Sequence, residues 1–284
     1  MSMRLLIVVM LGLSVTSAAQ AIGRQQVQKD TTSELIDSLF NKEIVIEGNV
    51  NDMSLLEVLN QISKREGITF SINLECFKQA MMPDVQEKKP QVAATTLQRM
   101  NLHQFLVQVL EGLGATYIVK GNGVEIVTVA HAAKVAQATI EVDAEGNKSL
   151  KEPLVCAIIK QKPLFESIDQ LASRYDLSIT ISPQAVEGRA SLVSARILNL
   201  PADKAVEMLA LQCDLRVVRK GNAFVITSRD HAKTLLADQA EQERSKIELE
   251  RLRAGLPSLK VPPPQKTELK SIPGTSSGPV SPNR

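Results

Sequence analysis

"TYIVKGNGVEIVT" at residues 116–128 and "RVVRKGNAFVITS" at 216–228 decide how this chain reads. Each is a β-rich run, a Lys-Gly-Asn turn (120–122 or 220–222) and a second β-rich run. Gly and Asn tolerate the positive φ of tight hairpin turns, so each stretch predicts a two-stranded ribbon. The final strand of each ribbon is taken as a candidate sheet edge, offering its backbone to a partner.

The surroundings match as well. At an offset of 100, residues 101–132 lie on 201–232 without a gap, including His131 on His231. At an offset of 109, "SLLEVLNQISKREGITFSI" (54–72) lies on "PLFESIDQLASRYDLSITI" (163–181). Leu55, Glu57, Gln61, Arg65 and Ile72 are identical to Leu164, Glu166, Gln170, Arg174 and Ile181. The offset falls by nine because the loop after Ile72 is nine residues longer in the first copy. Two ungapped blocks in the same order mark a duplicated module.

Local patterns give each module its elements. "IVIEGNV" (44–50) and "LVCAII" (154–159) read as strands. Leu55, Leu56, Leu59 and Ile62 then form one helical stripe. Ser54 with Glu57 is a capping-box signature, the second copy has Pro163 at the helix start, and Gly67 stops the first helix. "ITFSI" and "LSITI" follow as strands, then "VAATTLQR" (92–99) and "ASLVSARIL" as two more. Phe105, Leu106, Val109, Leu110 and Leu113 mark the second helix, and Ala205, Val206, Leu209, Ala210 and Cys213 its counterpart. Asn101 with Gln104, or Pro201, starts it, and the ribbon closes the module. The fold class is therefore α+β: two tandem β-α-β-β-α-β-β modules, with helices on one face of a mixed sheet.

The rest of the chain divides by composition. Residues 1–21 carry Arg4, the apolar run "LLIVVMLGL" and small residues at Ala19 and Ala21, the pattern of a secretory signal peptide. Cleavage after Ala21 leaves Ile22 first, whereas reading Ser17 and Ala19 as the small pair leaves Gln20. The apolar run is too short to span about 30 Å of bilayer, and no later stretch is apolar enough. Residues 22–43 are an extension in which 25–41 is expected to add a helix. The first module is 44–132, 133–152 reads as a linker, and the second module is 153–229. Residues 230–256 form a charged helix. Residues 257–284 are rich in Pro, Ser and Gly and are expected to be disordered.

The second copy, "PLFESIDQLASRYDLSITISPQAVEGRASLVSARILNLPADKAVEMLALQCDLRVVRKGNAFVITS", resembles the short N-terminal domain shared by secretins and TonB-dependent receptors. The likeness rests on the Pro-Leu start, the "IDQLA" helix, the Val-x-Gly turn, the "LNLPADKAVEMLA" helix and the final "GNAFVIT" ribbon. It covers 154–228 well and 44–129 more loosely. In those families the module precedes an outer-membrane barrel; no barrel-length region follows here. The resemblance implies a periplasmic protein of a diderm bacterium that binds an envelope partner (a secretin, pilus or TonB-linked component) or itself.

Chemistry-bearing motifs do not emerge. The chain has no G-x-S-x-G, H-E-x-x-H or P-loop pattern. Cys76, Cys156 and Cys213 match no zinc spacing and read as small apolar residues. His131 and His231 recur, which duplication explains without a function. No catalytic, cofactor or metal residue is assigned. Glu57, Glu166, Arg65 and Arg174 sit where they favour a helix dipole. A net charge of +2, from 33 basic and 31 acidic residues, lacks the basic excess of a nucleic-acid grip, and 3% aromatic content leaves little for base stacking. The leading reading is thus a non-enzymatic envelope protein-binding module. A KH-like nucleic-acid binder and an enzyme with a site between modules are the alternatives.

Overall fold

The computed structural model describes residues 31–46, 48–92 and 100–254, with the backbone alone at 187. The leader at 1–21, all but the first residue of the strand expected at 92–99, and the tail at 257–284 lie outside the described residues. The protein is α+β. It divides into a compact unit up to Ala232, which holds both copies, and a second unit from Lys233.

Helix α1 (Thr31–Asn41) precedes copy one and buries Leu35, Ile36, Leu39 and Phe40. Copy one continues with α2 (Leu55–Glu66), β1 (Thr69–Ile72), α3 (Leu74–Gln79), α4 (Leu102–Glu111), β2 (Ala115–Lys120), β3 (Gly123–Thr128) and α5 (Val129–Ala136). The expected linker carries a small hairpin, β4 (Ile140–Val142) with β5 (Lys148–Leu150). Copy two is β6 (Leu154–Pro163), α6 (Leu164–Tyr175), β7 (Ser178–Ile181), α7 (Val186–Arg189), β8 (Leu192–Pro201), α8 (Ala202–Leu211), β9 (Leu215–Lys220) and β10 (Ala223–Ser228). Helix α9 (Arg229–Arg253) follows; from Lys233 on, none of the described side chains is buried.

The duplication holds in the pairing register. Copy one orders its sheet β1-β3-β2 and copy two β7-β10-β9, with one parallel and one antiparallel pair in each. Thr69 faces Gly123 and Ser178 faces Ala223, the same positions at the same offsets. Both turns are two-residue loops with a left-handed Gly, φ 62° at Gly121 and 61° at Gly221, as a type II′ hairpin requires. β3 and β10 are therefore central strands, and the edges are β1 and β2, β7 and β9. That corrects the expectation that the last strand of each ribbon is an edge. The parallel return of β1 or β7 covers its free side, a long-range pairing that the ribbon's own sequence does not encode.

The strands of copy two form two sheets rather than one mixed sheet. β6 and β8 pair antiparallel as a separate ribbon. α6 packs on β6 and β7, and α8 on β8 and β9, so each helix crosses from the ribbon to the three-stranded sheet. Pro163 and Pro201 end the two ribbon strands and serve as helix N-caps; for Pro163 the sequence reading expected the first helical position instead. With no N–H, each proline stops the ladder while its fixed φ admits the helix.

In copy one the described residues of 44–50 do not form the expected strand. Among the described residues its ladder is the bridge Glu43–Asn101 and an Ile44 N–H bond to Met100 O at 2.9 Å. Gly48 lies at φ 94° and Asn49 caps a 3-10 turn at Val50–Asp52, so the chain bends where β-branched residues alone predicted extension. The predicted capping box of Ser54 with Glu57 is present, and Asn101 with Gln104, read as a helix start, forms a second one. The Ser54 N–H and hydroxyl hold the Glu57 carboxyl below its usual range.

Candidate functional site

Where the two copies meet, one uses the sheet edge of the other. A two-residue loop makes Lys120 and Gly123 a hydrogen-bonded pair, and bonding alternates along the ladder. Ala115, Tyr117 and Val119 therefore turn their N–H and C=O away from β3. Val119 N–H donates to Asn199 Oδ1 at 2.7 Å, and Asn199 Nδ2 donates to Val119 O at 2.8 Å. The side-chain amide of Asn199 thus takes the place of a pairing strand.

A bulge in β8 presents that amide. Val155 pairs with Leu200 and Ala157 with Ile197, so Leu198 and Asn199 together oppose Cys156. Asn199 adopts φ 54°, which Asn tolerates better than most residues. Its N–H lies 3.3 Å from Cys156 Sγ, and that thiol lies 3.4 Å from Asn199 Oδ1. Burial pushes the Cys156 thiol up to about 11, so it packs as a neutral group. A polar Asn inside "RILNLP" is the sequence signal for this bulge; sequence reading did not single it out.

An aromatic cluster seals the same junction. His103 of α4 packs at a tilt against Phe40 of α1 at 4.7 Å between ring centroids, and edge-on against Tyr175 of α6 at 5.2 Å and Tyr117 of β2 at 5.9 Å. His103 Nδ1 is 2.6 Å from the Tyr117 hydroxyl. The Tyr175 hydroxyl accepts from Cys156 N–H at 2.6 Å and donates to Cys156 O at 3.1 Å. Burial lowers the His103 pKa to about 4 and raises those of Tyr117 and Tyr175 above the usual phenol range. Arg174 lies 5.0 Å over the Phe40 ring and pairs with Asp37 at 3.6 Å. At the rim, Thr32 donates to Gly121 O at 3.1 Å and accepts from Arg196 at 3.0 Å.

Copy two offers the corresponding edge. By the same alternation, Leu215, Val217 and Arg219 direct their backbone groups away from β10. Among the described residues no strand pairs with β9 on that side. Leu215 O accepts from Arg216 at 2.9 Å, and Arg219 pairs with Glu152 while lying over Phe224. Grooves flank copy one. A cavity of about 460 Å³ runs between Ile44–Ile46 and the end of α2, where Arg65 donates to Val45 O. Another of about 400 Å³ separates α3 from α5 and is lined by Asn73, Cys76, Gln79 and His131.

The recurring histidines sit at equivalent capped helix starts, where their backbone N–H groups are the donors. Thr128 and Ser228 are equivalent, and their hydroxyls accept from the backbone N–H of His131 (3.2 Å) and His231 (3.4 Å) as a helix begins. The repeat thus preserves a helix start. Among the described residues no cluster of three or more His, Cys, Asp or Glu could hold a metal, and the three cysteines are unbridged. Among the described residues no helix is long and apolar enough to cross a membrane. Compared with protein-family models and with curated protein sequences, the chain matches none.

Proposed function

We propose that this chain is a non-enzymatic protein of the bacterial envelope, exported to the periplasm, whose modules bind other proteins through sheet edges. One observation carries the reading: Asn199 already reads the β2 edge as an incoming strand would, while β9 presents the equivalent edge. Backbone groups at an edge provide affinity and neighbouring side chains provide selectivity. The resemblance of 154–228 to the secretin and TonB-receptor short domain supplies the partner class, a secretin, pilus or TonB-linked component or a second copy of this chain. The signal-peptide pattern at 1–21 supplies the compartment.

The test joins fractionation to crosslinking. A photo-crosslinking residue at Val217 should capture an envelope component or another copy of the chain, and the same residue at Glu241 of α9 should not. N-terminal sequencing should begin at Ile22 or Gln20. A chain that starts at Met1 in the cytosol, or a Val217 probe that captures no more than the Glu241 probe, overturns the proposal.

A further inference from the structure

The junction between the copies half-buries a titratable ring among aromatic side chains, where charge is poorly solvated. His103 is enclosed by Phe40 of α1, Tyr117 of β2 and Tyr175 of α6. The charged and titratable groups around it are the two phenols, Arg174 of α6, Asp37 of α1 and Cys156 of β6. Asp37 is engaged by Arg174, whose guanidinium lies over the Phe40 ring that also packs at a tilt against His103. An imidazolium here joins a positive charge already present and loses its bulk hydration. Tyr117, which touches His103, and Val119, which Asn199 holds, sit on one strand two residues apart.

We propose that this junction is an acid-opened joint: protonation of His103 releases copy two from copy one while each copy keeps its fold, and bares the β2 edge that Asn199 covers. Its biological use rests on the edge-binding reading above, whereas the opening is measurable without any partner. The direction follows from linkage. Burial holds the His103 pKa in the closed junction near 4, below its ordinary value of 6.5, so the closed form binds fewer protons than the open one. Closure is at full strength above pH 6.5 and weakens as the pH falls from 6.5 towards 4. One pKa unit is a tenfold change, so opening becomes about 100-fold easier across that window.

Hydrogen exchange on the intact chain reads this directly. The protection factor of the Val119 N–H should fall about 100-fold between pH 6.5 and pH 4, while amides of β3 and β10 keep theirs. In His103→Phe, which retains a ring but cannot protonate, Val119 protection should stay flat over the same range. A ring-proton titration of His103 by NMR should give a pKa well below 6.5, whether or not that variant folds. The proposal fails if Val119 and the core amides lose protection together, if His103→Phe keeps the acid response, or if His103 titrates at its ordinary value. Capture at Val217 at neutral pH is independent of all three results.

Discussion

Copy one and copy two share a strand order and register but fill their cores differently. The second helix of copy one buries Leu102, Phe105, Leu106, Val109 and Leu110; its counterpart buries Ala202, Ala205, Val206, Leu209 and Ala210. Large side chains at three positions, Leu102, Phe105 and Leu110, are replaced by alanine at the equivalents, so α8 fills less space than α4. The regions around the helices differ to match. α4 packs against the apolar side of α1, and Phe77 of α3 is fully buried. α8 lies against a ten-residue ribbon strand, β8, with a bulge. Topology is thus conserved by pairing, whereas volume is set separately in each copy by what packs outside the helices.

Substitutions in the second helix of each copy can break this comparison. Phe105→Ala should have the largest effect, about 3–5 kcal/mol, because a fully buried ring leaves a cavity. Leu209→Ala should cost about 2–5 kcal/mol for the same reason. Chemical denaturation measures both; a loss below 1 kcal/mol at Phe105 would mean that the core of copy one collapses around the gap and is not rigidly filled.

The junction gives the next effect. Asn199→Gly keeps the left-handed backbone accessible but removes the amide, leaving the buried Val119 groups unpaired at about 1–3 kcal/mol. Tyr117 and Tyr175 are the two tyrosines of the chain and it has no Trp, so near-ultraviolet circular dichroism should report the disturbed junction. Unchanged stability and an unchanged tyrosine signal would remove the clamp from the account.

Gly123 and Ala223 sharpen the contrast at one ladder position. A Cβ at Gly123 would stand 2.9 Å from Thr69 O, a backbone atom that cannot swing aside. Gly123→Ala should therefore destabilise by about 1–3 kcal/mol, whereas Ala223→Gly in copy two should cost about 0.5–1 kcal/mol. Equal effects would show that β1 and β7 approach their central strands alike. The smallest effect should come from His131→Gln and His231→Gln. Their backbone N–H groups make the caps, so stability should stay within about 0.5 kcal/mol and capture at Val217 should persist. Loss of capture in a folded His variant would redirect attention to the cleft beside His131.

The second copy was legible almost element by element, because each of its features is local. Leu164, Ile168, Leu171 and Tyr175 repeat at helical spacing, and proline marks both helix starts. The first copy was less so. Residues 44–50 are β-branched but contain Gly48 and Asn49, and backbone turning there overrides propensity. The stretch at 133–152 read as linker, yet Asp143, Asn147 and Gly146 (φ 86°) build a hairpin turn within it. The candidate site was hidden for a different reason. Asn199 and Val119 are 80 positions apart, and nothing in either segment names the other.

By itself the sequence determined the duplication, the α+β class, the two main helices of each copy with their start signals, and the Gly-Asn ribbons, since each depends on residues within a few positions of one another. Tertiary structure alone decided which strands are edges, how the strands of copy two split into two sheets, and which edge the next copy covers. It also decided that His103 packs, half-buried, against two tyrosines and a phenylalanine. Those outcomes depend on the pairing of distant backbone groups and on which surfaces lose water together, and identical local patterns permit more than one such arrangement.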